Sequence, residues 1–126
     1  MSQAFSVEII SPKEKIFEGK AEEVILPCYE GQVTILANHI PLITFLRPGL
    51  IEIEKNDKFY TEEGTVEFSN DKLIILSASI LKLGDMKSEK VRDMIELSKK
   101  QVLDNEISDK QRYLLNHKID TLKQII

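Results

Sequence analysis

A chain of 126 residues, 42% apolar and 30% charged, has the composition of a folded globular protein with one domain or a small pair, not of a disordered one. Its net charge of −4 argues against nucleic acid as the main partner, because phosphate binding needs a clustered excess of Lys and Arg. The single Cys28 excludes an internal disulfide and a multi-cysteine zinc site, and no apolar run is long enough to span a bilayer. The opening MSQAFSVEII has neither the basic flank nor the apolar stretch of a signal peptide, so a cytosolic protein is expected.

Phe5-Ser6-Val7-Glu8-Ile9 alternates apolar and polar residues, the period of a half-buried strand, and Ser11-Pro12 ends it. Lys15 to Gly19 and Glu23 to Leu26 follow, with Pro27 closing the second. Pro27 to Gly49 then gathers three of the four prolines, the only cysteine and one of the two histidines. Within it Val33 to Leu36 and Ile40 to Leu46 read as strands joined by a kinked, exposed corner at Ala37-Asn38-His39. Beyond Gly49, Ile51 and Ile53 alternate with Glu52 and Glu54, and Asn56-Asp57 is expected to form a tight hairpin turn. Lys58 to Thr61, Thr65 to Phe68 and Lys72 to Ser77 are further strands, separated by turns at Glu63-Gly64 and Asn70-Asp71. Short strands at such close spacing predict an all-β antiparallel sandwich or flattened barrel over residues 1–84.

From Asp85 onward glycine and proline vanish, and the net charge changes from −5 to +1. Val91, Met94, Ile95, Ser98 and Val102 mark one face of a helix, with Asp85 or Ser88 as its expected cap. Ser108-Asp109-Lys110-Gln111 has the form of a capping box and opens a second helix, whose stripe is Leu115, Ile119, Leu122 and Ile126. Residues 85–126 are therefore expected to form an antiparallel two-helix hairpin. Such a hairpin is marginal alone and must lie on the sandwich or on a partner.

Candidate chemistry is sparse. Cys28 and His39, with Asn38 to orient the imidazole, would be a thiol nucleophile and its base, but no oxyanion motif accompanies them. His39 and His117 lie in different halves without ligand spacing for a metal, and no phosphate-binding glycine loop occurs. Glu22-Glu23 and Glu62-Glu63 read as solvated protection of strand edges. No cofactor is expected, and the pattern is that of an interaction module. A stand-alone β-sandwich adaptor is one form this module takes.

Ser11-Pro12, Phe17-Glu18-Gly19, Val24 to Pro27, Glu30-Gly31, Ile35-Leu36, His39 to Thr44 and Leu46 to Gly49 resemble the small stalk subunit of the rotary F-type ATP synthases. That subunit is called epsilon in bacteria and chloroplasts and delta in mitochondria. The resemblance implies a non-catalytic rotor subunit on the cytoplasmic face of the bacterial inner membrane. Its partners would be the gamma subunit, the ring of c subunits and the alpha/beta catalytic head. On that pattern Glu30, Gly31, Gln32 and the corner Asn38, His39, Ile40, Pro41 and Leu42 would face the ring and gamma. Lys110, Arg112, Lys118 and Lys123 would meet the head when the helices extend to inhibit ATP hydrolysis. The chain departs from the family at Cys28, where a glycine is usual, at Gln32, where a glutamate is frequent, and at Ala37-Asn38, where Pro-Gly is usual. Some relatives bind ATP through I/L-D-x-x-R-A on the first helix. Val91-Arg92-Asp93-Met94-Ile95-Glu96 lacks the Asp and the Arg at their places in that motif, so no tight ATP binding is expected.

Overall fold

A computed structural model describes residues 3–126. Strand β1 (Phe5–Ile10) buries Phe5, Val7 and Ile9 as its alternation requires. β2 (Lys15–Ala21), β3 (Glu23–Cys28), β4 (Gly31–Leu36), β5 (Leu42–Leu46), β6 (Gly49–Ile53), β7 (Asp57–Thr61), β8 (Gly64–Ser69), β9 (Lys72–Leu76) and the short β10 (Leu81–Lys82) follow. Their order across the sheet is β10-β7-β6-β3-β5-β8-β9-β1-β2, with β4 also paired to β3.

The sheet divides at one place. Only Cys28 opposite Leu46 joins β3 to β5 in register, and Tyr29 N–H to Phe45 O (2.8 Å) and Arg47 N–H to Pro27 O (3.0 Å) flank that pair. The two halves meet in a single core, in which Val24, Leu26, Ile51 and Ile53 pack with Val7, Ile9, Val66, Phe68 and Ile75. At the far side the ring of Phe17 on β2 meets that of Phe59 on β7 edge-on at 6.1 Å. This is the predicted sandwich or flattened barrel. One pairing departs from the antiparallel expectation: β1 runs parallel to β9, from Ser6 beside Lys72 to Ile10 beside Leu76.

Several boundaries differ from the sequence expectation. Pro27 does not close β3; it lies where β3 leaves β6, paired through Ile25 and Glu52, to meet β5 through Cys28 and Leu46. A residue without an N–H is tolerated at such a change of neighbour. The hairpin turn expected at Asn56-Asp57 is centred earlier, on Glu54 (φ 52°) and Lys55 (φ 69°), and Asn56 N–H closes it on Ile53 O at 3.2 Å. The turn at Asn70 (φ 50°) and Asp71 (φ 55°) falls where expected, with two positive φ angles as a type I′ hairpin requires.

A 3-10 turn (Leu83–Asp85) leads into α1 (Ser88–Val102), and α2 (Asp109–Ile125) follows. Neither Asp85 nor Ser88 caps α1: Asp85 belongs to the 3-10 turn, Ser88 is already helical, and Lys87 holds the cap position without a side-chain bond. The capping box of α2 is present in full, with Gln111 N–H to Ser108 Oγ at 3.1 Å and Ser108 N–H to Gln111 Oε1 at 2.8 Å. Leu122 near the end of α2 packs with Val91 and Ile95 near the start of α1, so the helices are antiparallel. The same cluster takes in Tyr60 of β7 and Leu50 of β6, which seats the hairpin on the outer face of that half of the sheet. Ile126, predicted to end the stripe, is half exposed because the helix stops at Ile125.

Candidate interaction surfaces

The corner after β4 is built as the sequence suggests. His39 N–H closes a turn on Leu36 O at 3.1 Å, and Asn38 (φ 66°) takes the position that needs a positive φ. Asn38 is fixed further by its N–H to Asp71 Oδ1 (2.8 Å) and its side-chain amide to Gln3 (2.7 Å). His39 stands edge-on to Phe68 at 5.9 Å, Leu42 packs against the core, and Ile40 and Pro41 are exposed. The second predicted group does not join this corner. Gly31 opens β4, with exposed Glu30 just before it and exposed Gln32 just after, so this turn and the corner lie at opposite ends of one strand, about 17 Å apart at 3.4 Å per residue.

The same geometry removes the thiol reading. Cys28 pairs with Gly31 at one end of β4, whereas His39 follows Leu36 at the other. The thiol is buried at 1% exposure, and that burial raises its pKa, the reverse of an activated nucleophile.

From the corner an apolar surface continues along the outside of the other half-sheet. Ile43 (78% exposed) and Phe45 (62%) point outward from β5. Phe45 lies in register with Thr65 of β8, which lies opposite Leu76 of β9, and Leu76 lies beside Ile10 of β1. Ile43 lies opposite Glu67 of β8, so this face is apolar along β5 and β9 with Thr65 and Glu67 between them. Periodicity missed it because it assigned each strand one face. The signal was present in Leu42-Ile43-Thr44-Phe45-Leu46, where apolar residues occupy both alternating sets.

Three of the four predicted head-facing cations are already engaged. Lys118 pairs with Glu62 at 3.1 Å, and Glu62 also accepts from Tyr60 OH at 2.9 Å. The Lys110 ammonium lies 5.9 Å from the centre of the Tyr29 ring. Arg112 donates to Val102 O and to Asp104 O, closing the C-terminus of α1. Lys123 is exposed. Glu62 and Glu63 are accordingly not edge protection: Glu62 ties the hairpin down, and the Glu63 carboxylate accepts from Ala78 N–H at 2.9 Å.

A further row on α2 meets the sandwich. Tyr113 OH donates to Tyr29 O at 2.5 Å, with the two rings 5.1 Å apart. One turn on, the His117 ring stands edge-on to Tyr113 at 4.5 Å. Thr121 Oγ1 lies 2.8 Å from His117 O and 3.5 Å from Pro48 O. The spacing 113, 117, 121 is helical, but its residues are polar enough that an apolar stripe search passes over them. Beside this row an open cleft of about 590 Å3 remains, lined by Tyr29, Phe45, Glu62, Lys110 and Leu114 among others. The hairpin is thus held at separate points and not along a continuous dry interface. Among the described residues no helix is long and apolar enough to cross a membrane.

With this geometry in view, the relatives agree. Residues 4–82 match the family described as ATP synthase, Delta/Epsilon chain, beta-sandwich domain. The ATP synthase epsilon chain of Pelagibacter ubique is 38% identical, with 99% of each chain covered. That of Parvibaculum lavamentivorans is 30% identical over 99% of this chain and 97% of the relative. A chain of the Euglena gracilis mitochondrial ATP synthase (OSCP/F1/c-ring, rotational state 1) shares the fold with a TM-score of 0.75 at 16% identity, over 94% of this chain and 78% of that one. A chain of the Tetrahymena thermophila mitochondrial ATP synthase central stalk/c-ring does so with a TM-score of 0.63 at 12% identity, over 98% and 96%. A sandwich of this topology, a helical hairpin seated on it and relatives matched along nearly their whole length lead to one conclusion: the chain belongs to the ATP synthase delta/epsilon chain family.

Proposed function

We propose that this chain is a non-catalytic subunit of the central stalk of a proton-translocating F-type ATP synthase, coupling rotation of the c-ring to ATP synthesis in the head. The observation that carries the reading is the group of exposed apolar side chains Ile43 and Phe45 on β5 and Leu76 on β9, which share one face with Thr65 and Glu67 of β8 between them and suit a permanent partner. We assign it to the gamma subunit, together with the adjoining corner Asn38, His39, Ile40, Pro41 and Leu42. The turn Glu30-Gly31-Gln32, at the other end of β4, is assigned to a separate contact with the c-ring. The complex would hold the chain peripherally at the cytoplasmic face of the bacterial membrane.

The proposal extends to a division near Gly84, with residues 1–84 binding gamma and the ring and residues 85–126 regulating. Lys110 and Lys118 hold the hairpin down through Tyr29 and Glu62, so they become free for acidic loops of the alpha/beta head only when it is released. Lys123 is already exposed with the hairpin docked, and Arg112 is bonded within the hairpin. Titrating the chain into a purified head–gamma complex tests the assignment. Saturable binding that is lost in Ile43→Glu/Phe45→Glu is expected, and failure of the wild-type chain to bind gamma sinks it. A chain ending near Gly84 should still bind but no longer inhibit ATP hydrolysis.

A further inference from the structure

We propose that the recess between α2 and the β3, β4 and β6 part of the sandwich, with Arg47 in its wall, is a binding site for a small tetrahedral oxyanion, inorganic phosphate being the simplest occupant. The recess has a volume of about 150 Å3 and is lined from both sides: Arg47, Gln32, Gly49 and Glu52 come from the sandwich, Thr121 and Gln124 from α2. Backbone bonds fix its position. Arg47 N–H is bonded to Pro27 O at 3.0 Å, and Gln32 stands opposite Pro27 in the β3–β4 ladder. Gly49 makes room for the cation. A Cβ there would collide with Pro27 Cβ and stand 3.5 Å from Arg47 Nη1, so the missing side chain lets the guanidinium lie close to the backbone.

The guanidinium lacks an anionic partner. Arg47 donates Nη1–H to Pro48 O at 3.1 Å, its buried Nε has no acceptor, and it takes part in none of the ion pairs among the described residues. A partly buried cation in that condition has lost water without gaining a charge in its place. Its planar fork of N–H groups matches two oxygens of one oxyanion. Gln32 and Gln124 line the same recess and bring neutral amide donors that can complete the shell. Thr121 contributes less, because its hydroxyl is spent on His117 O at 2.8 Å. Glu52 is the one carboxylate among the described lining residues, and Lys58 of β7 compensates it at 3.5 Å.

The size of the recess selects the class of ligand. Drug-sized molecules occupy cavities of about 300–1,000 Å3; this one suits a phosphate or sulfate group, and a nucleoside attached to it would lie outside. No residue of α1 lines the recess, so it is separate from the run Val91 to Glu96 compared above with ATP-binding relatives. Donors reach it from β4, from the segment joining β5 to β6 and from α2, three parts of the chain distant in sequence that converge on one anion.

The test uses the isolated full-length chain and needs no partner, so failure of the stalk assignment leaves it intact. Inorganic phosphate is the probe, with chloride adjusted to hold ionic strength constant at fixed pH. In nitrogen-15 NMR the Arg47 Nε–H and the side-chain amides of Gln32 and Gln124 should shift together and saturate at millimolar phosphate, and sulfate should do the same. Gln124→Glu, at an exposed position of α2, places a carboxylate in the recess and should weaken phosphate binding by about tenfold or more. Glu52→Gln removes a carboxylate and should strengthen binding several-fold, while Arg47→Lys, which loses the fork, should weaken it. Unsaturated shifts that chloride reproduces, or identical titrations in wild type, Gln124→Glu and Glu52→Gln, overturn the site. Saturation of the same resonances by ATP well below the phosphate range also overturns it, because the recess would then be one end of a nucleotide site.

Discussion

Removing three carbons from one side chain should separate the hairpin from the sandwich without unfolding the sandwich. Leu122 is fully buried, and its cluster holds only Tyr60, Val91 and Ile95 as other buried members, with Leu50, Met86, Met94 and Ile125 at the margin. Leu122→Ala in such a site costs about 2–5 kcal/mol from lost transfer energy and the cavity left behind. The docking equilibrium then moves by roughly thirty-fold to several thousand-fold. The remaining attachments are the Lys118–Glu62 pair, the Lys110–Tyr29 contact and the Tyr113 bond, none of which supplies that much alone. The sandwich core shares no buried residue with this cluster, so it keeps its own stability. Amide hydrogen exchange resolved by segment checks the argument. Amides of α1 and α2 should lose protection while those of β1, β8 and β9 retain theirs. Equal loss in the strands would refute it, since hairpin and sandwich would then unfold as one unit.

Other expectations follow from single contacts. A Cβ at Gly64 would stand 2.5 Å from Leu76 O, so Gly64→Ala should force β8 and β9 apart and lower sandwich stability by about 1–3 kcal/mol in urea titration. Arg112→Ala leaves Val102 O and Asp104 O without their donor, and should fray the end of α1 at a cost of about 1–3 kcal/mol; Arg112→Lys should not restore the paired bonds, as segment-resolved exchange at Lys99–Leu103 would show. Asn38→Ala must hold φ 66° without the short polar side chain that makes Asn tolerant of that region and loses the bond to Gln3, costing about 1–2 kcal/mol, whereas Asn38→Gly should keep most of the stability in thermal melts. Calorimetry with micromolar ATP should give no saturable heat, because in the first-helix run Val91 to Glu96 the motif's Asp and Arg places are held by Arg92 and Ile95.

Much of the fold was legible because local rules and tertiary packing agree. Alternation located β1, β6 and β8, the change from period two to period 3.6 near residue 85 located the hairpin, and Ser108 with Gln111 located the start of α2 to the residue. Errors arose where a neighbour distant in sequence decides. Pro27 reads locally as a stop, yet the exchange of β6 for β5 beside β3 absorbs its missing N–H. Lys118 and Glu62 read as solvent-facing until the hairpin folds one onto the other. The two groups expected to face the ring and gamma sit in one punctuated stretch of sequence, but extended backbone between them sets them at opposite ends of β4. The row Tyr113, His117 and Thr121 was invisible for a further reason. Its docking value depends on main-chain acceptors at Tyr29 and Pro48, which no side-chain pattern encodes.

The parallel pairing of β1 with β9 has a consequence for how the chain is made. The β1–β9 ladder joins the first strand to one near the end of the sandwich, so Ser6 to Ile10 cannot complete their pairing until Lys72 to Leu76 have left the ribosome. Until then β1 has only β2, and a lone two-stranded ribbon is barely stable in water. Closure of that long loop is expected to slow folding, and the newborn chain should sample open, protease-sensitive forms until it passes residue 76. The helices come last, onto a platform already built.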